Sequence, residues 1–171
     1  YFEDDSVPYR IKFNDITIGS HTVTIAWDTT KGGKHAIDYL NTYDRSTSAD
    51  PCAGVTGCGS PTTSSIPTDP NVTGAGVTPI PGNFTMFNGN ITAASAYTLS
   101  NPYSGDSTTS ITLTFTATTT NPVLAWSGHI ANRSDWGATN SAISISGSPY
   151  HMRMLDVDGK GGNQDKSLSA D

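Results

Sequence analysis

Apolar and polar residues alternate along much of this chain. In TSITLTFTAT, Ile111, Leu113, Phe115 and Ala117 fall on one face and Thr112, Thr114, Thr116 and Thr118 on the other, the period-2 signature of a strand with one buried and one wetted face. HTVTIAWD repeats the scheme with Val23, Ile25 and Trp27 inward, and YRIKFNDITI sets Tyr9, Ile11 and Phe13 opposite Arg10, Lys12 and Asn14. Gly19 and Ser20 between those two segments predict a hairpin joining them. NFTMF, ITAASAYTL, PVLAWSGHI, SAISIS and YHMRMLDV are further short candidates, each followed by Asn, Gly, Pro or Ser. With about eight strands and turn signals between them, the pattern predicts an all-β antiparallel sandwich, jelly-roll or immunoglobulin-like. Trp27 and Trp126 are expected in its core.

Two stretches break the alternation. KHAIDYLNTY is the one helix candidate, with Ala36, Ile37, Leu40 and Tyr43 on a single stripe. His35 and Asp38 within it read either as a catalytic pair or as parts of a helix packed on the sandwich. Residues 46–83 turn rich in Pro, Gly, Ser and Thr, with prolines at 51, 61, 67, 70, 79 and 81. A long excursion of this kind is either an interaction surface or a loop that shields a sheet edge.

At 171 residues the chain has the length of a single well-cored domain, 1–171. Charged residues are only 14% of it, while Ser and Thr together make up roughly a quarter, well above ordinary usage. Thr is β-branched, which reconciles so polar a composition with sheets. A net charge of −6, with no run among the nine Lys and Arg, argues against nucleic acid, whose phosphates demand clustered cations. No apolar stretch approaches a membrane span. YFEDDSVPYR opens without Met and carries no leader-like segment, which predicts a processed protein or a module of a longer one. Cys52 and Cys58, in DPCAGVTGCGSP, lack the spacing of zinc or thioredoxin pairs and predict a local disulfide, hence an oxidising, extracellular or cell-surface setting. Asn71, Asn83, Asn90 and Asn132 head Asn-x-Ser/Thr sequons and are candidate glycosylation sites.

The chemistry is sparse. The chain has no GxSxG, HExxH, phosphate-loop or dinucleotide fingerprint, and no catalytic residue is assigned. His21, His35, His129 and His151 lie far apart and read as half-buried strand residues with hydrogen-bond partners. Acids crowd at Glu3, Asp4 and Asp5 and again in DVDGKGGNQD, Asp156 to Asp165. Counted as a calcium loop, the latter fits at Asp156, Asp158 and Gly161 and fails at Lys160 and Ser167, so it is not an EF-hand. Two readings stay open there: an irregular calcium site using Asp156, Asp158, Asn163 and Asp165, or a glycine-built hairpin. In NRSDWGATN, Trp136 is a candidate stacking residue for a sugar, with Asn132, Arg133 and Asp135 around it, against edge packing as the alternative.

SVPYR, WDTTKGGKHAIDYLNTYDRS, DPCAGVTGCG, TDPNVTGAGVTPIPGNF, WSGHIANRSDWG and SGSPYHMRMLDVDGKGGNQDKSLSAD together resemble a module of large secreted bacterial surface proteins, adhesin-like in kind. The resemblance spans nearly the whole chain and implies an exported module with no catalytic residues to carry over. The leading expectation is a non-enzymatic extracellular structural or adhesive domain, associating with itself or with neighbouring domains of a surface protein. The fibre version has YFEDDSVPYRIKF or KSLSAD pairing with a neighbour's sheet edge. A calcium-dependent carbohydrate-binding module with glycan partners comes second, and a secreted hydrolase third.

Overall fold

Two antiparallel sheets pack face to face as a β-sandwich in the computed structural model, which describes residues 1–147 and 149–168. Its strands are β1 (Ser6–Lys12), β2 (Gly19–Lys31), β3 (Lys34–His35), β4 (Ile37–Asn41), β5 (Pro61–Ser65), β6 (Asn83–Phe87), β7 (Gly89–Ala94), β8 (Thr98–Leu99), β9 (Ser107–Ala117), β10 (Val123–Ile130), β11 (Tyr150–Val157) and β12 (Lys160–Leu168). One sheet runs β1-β10-β6-β5, with β4 also on β10; the other runs β12-β11-β2-β9-β7, with β3 on β2 and β8 on β9. Two short helices, α1 (Pro70–Gly74) and α2 (Arg133–Trp136), lie in the connections.

The Thr-rich alternation does what its period requires. Burial alternates without a break along β9, and Ile111, Leu113, Phe115 and Ala117 join one core with Val23, Ile25 and Trp27 of the same sheet and Phe84, Leu124 and Trp126 of the other. Each fully buried large aliphatic or aromatic side chain contributes about 1.5–3 kcal/mol relative to exposure. At one end the inward positions become polar, and hydroxyls there satisfy each other: Thr29 with Thr109 at 2.5 Å and Thr30 with Ser107 at 2.6 Å. β10 is buried over its whole length because β1 flanks one side and β4 and β6 share the other.

Several expectations change. β1 and β2 do not form a hairpin: β1 pairs with β10, from Ser6 opposite His129 to Lys12 opposite Val123, and β2 lies in the other sheet between β11 and β9. Alternation fixes which face of a strand is apolar and is blind to which sheet the strand joins. KHAIDYLNTY is not helical; Ile37–Asn41 is strand β4, buried at every position, so it lacks the solvent face an amphipathic helix keeps. SAISIS forms a single 3-10 turn at Ala142–Ser144, and ITAASAYTL divides into β7 and β8. Strands outnumber the expected eight partly because β5, PTTSS, is almost wholly exposed and has no apolar alternation to reveal it.

The loop after β4 carries the Cys52–Cys58 disulfide, with Cα atoms 6.0 Å apart. It runs beside β1. The Ser6 amide donates to Ser46 Oγ at 2.7 Å, and the Arg10 guanidinium donates to the carbonyls of Pro51 and Ala53 at 2.7 and 2.8 Å. With Pro8 unable to donate, the first half of this edge strand is blunted. Further on, Asp69 caps α1 by accepting from the Asn71 amide.

Candidate functional site

The densest polar cluster sits at one pole of the sandwich, where β4 and β10 lie side by side. Asp38 of β4 is fully buried. Its Oδ1 accepts from the Tyr39 amide at 2.9 Å and bonds His129 Nδ1 at 2.7 Å, and its Oδ2 accepts from Trp136 Nε1 at 2.8 Å. The other ring nitrogen of His129, Nε2, lies 3.2 Å from Asp4 Oδ1. Tyr39 stacks on His129 with centroids 4.2 Å apart. Burial pulls the His129 pKa down, but the adjoining charge and hydrogen bond of Asp38, helped by Asp4, hold it above the ordinary histidine value. His35, in contrast, is buried without a carboxylate, and desolvation lowers its pKa to about 4.

His129 has a carboxylate on each ring nitrogen, and Asp38 has three donors on its two oxygens. Each of these polar atoms has a partner within the chain. What the arrangement does is tie the segment at Asp4, the strand pair β4–β10 and the turn at α2 into one unit.

The four residues singled out for sugar binding meet here too. Asn132 caps α2, accepting from the Asp135 amide at 2.9 Å, while its Nδ2 donates to Asp4 at 3.0 Å and Asp135 at 2.9 Å. Arg133 Nε donates to Glu3 at 2.9 Å. Trp136 is half-buried, stacked on His35 at 3.4 Å and packed against the small cluster of Tyr39, Val72 and Val77, with Tyr103 at its edge. Its stacking face is taken by His35, so Trp136 stands as a clamp over the pole.

DVDGKGGNQD lies elsewhere. Asp158 and Gly159, at φ 54° and 68°, turn the chain between Val157 and Lys160, which pair directly. This is the two-residue hairpin geometry that Asp-Gly favours. Asp158 Oδ2 bonds His21 Nδ1 at 2.7 Å and its Oδ1 accepts from the Thr22 amide at 2.9 Å. Asp156 accepts from the Gly159 amide at 3.3 Å. Asp165 faces Arg153 across the ladder, far from the turn, and bonds His151 at 2.6 Å; Asn163 is exposed on β12. Asp156, Asp158, Asn163 and Asp165 therefore do not converge on one calcium shell. Among the described residues no group of three or more His, Cys, Asp or Glu is placed to hold a metal ion. Of the sequons, Asn83 and Asn90 are exposed, whereas Asn71 and Asn132 spend their side-chain amides on Asp69, Asp4 and Asp135.

Two features have no signal in the sequence. Asp28, buried in β2, accepts two hydrogen bonds from Arg153, one from the His151 amide, and pairs with Lys31 at 3.2 Å. Burial opposes its charge, but Arg153 and Lys31 hold its carboxyl below the usual range. The second is a groove of about 520 Å³ along the open seam between β1 of one sheet and β11–β12 of the other. Among the described residues no helix is long and apolar enough to cross a membrane. Comparison with protein-family models, curated proteins and solved structures finds no match to this chain.

Proposed function

We propose that this chain is a non-enzymatic structural or adhesive module of the extracellular space, a unit that holds neighbouring protein by its sheet edges. One observation carries the reading. The acid, histidine and aromatic cluster that would be the natural place for catalysis is closed on itself through Asp38, His129 and Trp136, while β12 presents an outer edge with no strand beside it among the described residues. Such an edge is a template for strand addition. β12 is paired with β11 within its own domain, so its sheet offers an edge to a partner while keeping its own end strand. The local disulfide is in keeping with the extracellular setting.

Electron microscopy and sedimentation of the full chain, alone and mixed with other extracellular proteins, test this. The expected result is protein–protein complexes that Gly162→Lys, a charge placed on the open β12 edge where a side chain meets nothing, removes. Turnover of a glycoside or ester that Asp38→Asn abolishes would overturn the reading.

A further inference from the structure

The seam groove is a concavity of about 520 Å³ lined by apolar residues of β1, β10 and β11. Its floor is built from alternate residues of facing strands: Tyr9 and Ile11 from β1, Trp126 from β10, Met152 and Met154 from β11. Tyr9, Ile11 and Met154 are only partly buried, so this part of the core is left uncovered. Trp126 is 2% exposed, yet its indole Nε1, like the Tyr9 hydroxyl, has no hydrogen-bond partner among the described residues. That nitrogen has almost no exposed surface, so the indole senses the groove from beneath its floor.

Charge identifies what the groove would take. Arg10, Lys12, Arg153 and Lys166 line it and no carboxylate does, in a chain whose net charge is −6. Arg10 and Arg153 are committed to internal acceptors. Lys12 on one bank and Lys166 on the other have no ion pair among the described residues. The banks are strands of unlike status: the loop at Ser46–Ala53 blunts β1, whereas the outer edge of β12 has no strand beside it among the described residues.

We propose that the groove is a docking site for an extended segment of another polypeptide, added as a strand to the outer edge of β12, whose groove-facing residues, every second one, are apolar in the middle and acidic at the two ends. The apolar side chains enter the seam over Tyr9, Ile11 and Met154, above Trp126 in its floor, and the carboxylates reach Lys12 and Lys166. Five or six residues span the groove, roughly 17–20 Å of strand. The proposal rests on the partner-binding reading above and adds the chemistry of the partner.

The test is titration of the isotope-labelled full chain with a blocked octapeptide that carries Glu, Val, Ile and Glu at alternate positions and Thr between. Controls are the same peptide with Lys for Glu and one interrupted by Pro. The Trp126 indole signal, assigned by its loss in Trp126→Phe, and the β12 amides are expected to move with the acidic peptide alone. Lys12→Glu together with Lys166→Glu is expected to weaken that binding at least tenfold and to admit the basic peptide. Equal binding of acidic and basic peptides overturns the proposal, as do shifts that leave Trp126 and β12 unmoved. So does self-association that moves those signals without peptide, which would make a second copy the occupant, or a fatty acid moving them where no peptide does. If complexes of the chain persist while the peptide is ignored, this proposal fails and the structural reading stands; turnover of substrate fails that reading and leaves the titration intact.

Discussion

Replacing Asp38 by Asn changes one oxygen for an amino group in a site that has three donors and no solvent. Asp38 now satisfies the Tyr39 amide and His129 on one oxygen and Trp136 on the other. An amide side chain has one oxygen, so in either orientation at least one N–H faces another N–H. Keeping the pair on Oδ1 and orphaning the Trp136 indole is the less damaging choice. A buried unpaired donor costs about 1–3 kcal/mol, and the hydrogen bond to His129 also loses its charge assistance, worth about 1 kcal/mol or more. Asp38→Asn is therefore expected to destabilise by about 3 kcal/mol, and Asp38→Ala by about 3–5 kcal/mol. Urea unfolding followed by far-ultraviolet circular dichroism measures both. Trp136→Phe removes the orphaned donor in advance, so the double variant should be more stable than the two single losses predict, with a coupling of about 1 kcal/mol. A loss below about 0.5 kcal/mol in Asp38→Asn, the range of ordinary surface changes, would refute the view that this carboxylate holds the pole together.

The remaining expectations concern titration, the second buried carboxylate and the acidic hairpin. Because the folded-state pKa of His129 is raised, its stabilisation is complete below about pH 6.5 and is lost as pH rises through the folded value; thermal melting should show this alkaline decline in the native chain and not in His129→Gln. His35, at about 4 when folded, acts in the opposite sense: the unfolded chain takes up its proton first, so stability falls as pH drops from about 6.5, and His35→Phe should shrink that acid limb. Arg153→Met leaves the Asp28 carboxylate, only 4% exposed, with a weaker set of partners and should cost about 3 kcal/mol in urea unfolding; Asp28→Asn in the same chain should recover part of it. Calcium is expected to leave the melting temperature unmoved, since a cation that binds only the folded chain must raise it and the hairpin carboxylates already have partners of their own.

The sandwich itself was legible because its signal is local. Period-2 runs such as Ile111 to Ala117 specify a strand and its inward face without reference to anything distant, and burial along β9 follows them residue by residue. Pairing is not local. Asp38 and His129 are 91 residues apart, and nothing in either neighbourhood marks the other. In KHAIDYLNTY, apolar residues at helical spacing are interleaved with Asp38 and Asn41, which looks amphipathic until both polar side chains prove to be buried at 0% exposure. The tertiary setting overrides the pattern there. The segment Asp156 to Asp165 shows the reverse case: its acids were visible, and so was the Asp-Gly turn that brings Arg153 opposite Asp165, but the partners of Asp158, His21 and Thr22, come from a strand the sequence does not place beside it.

Both described ends of the chain leave the sandwich at one pole. Asp4 donates its amide to Ile130, and Leu168 pairs with Tyr150, whose strand meets β2 at Trp27, just short of the Thr29 carbonyl that accepts from Ala36. Tension applied through those ends would therefore act across the pole, roughly perpendicular to the strands. The ladder between β11 and β12 has its end rung there, at Leu168 opposite Tyr150, so a pull on that end would reach the rungs one at a time. On the structural reading proposed above, a fold arranged in this way suits a unit mounted on the side of a larger assembly better than a link in a chain under tension.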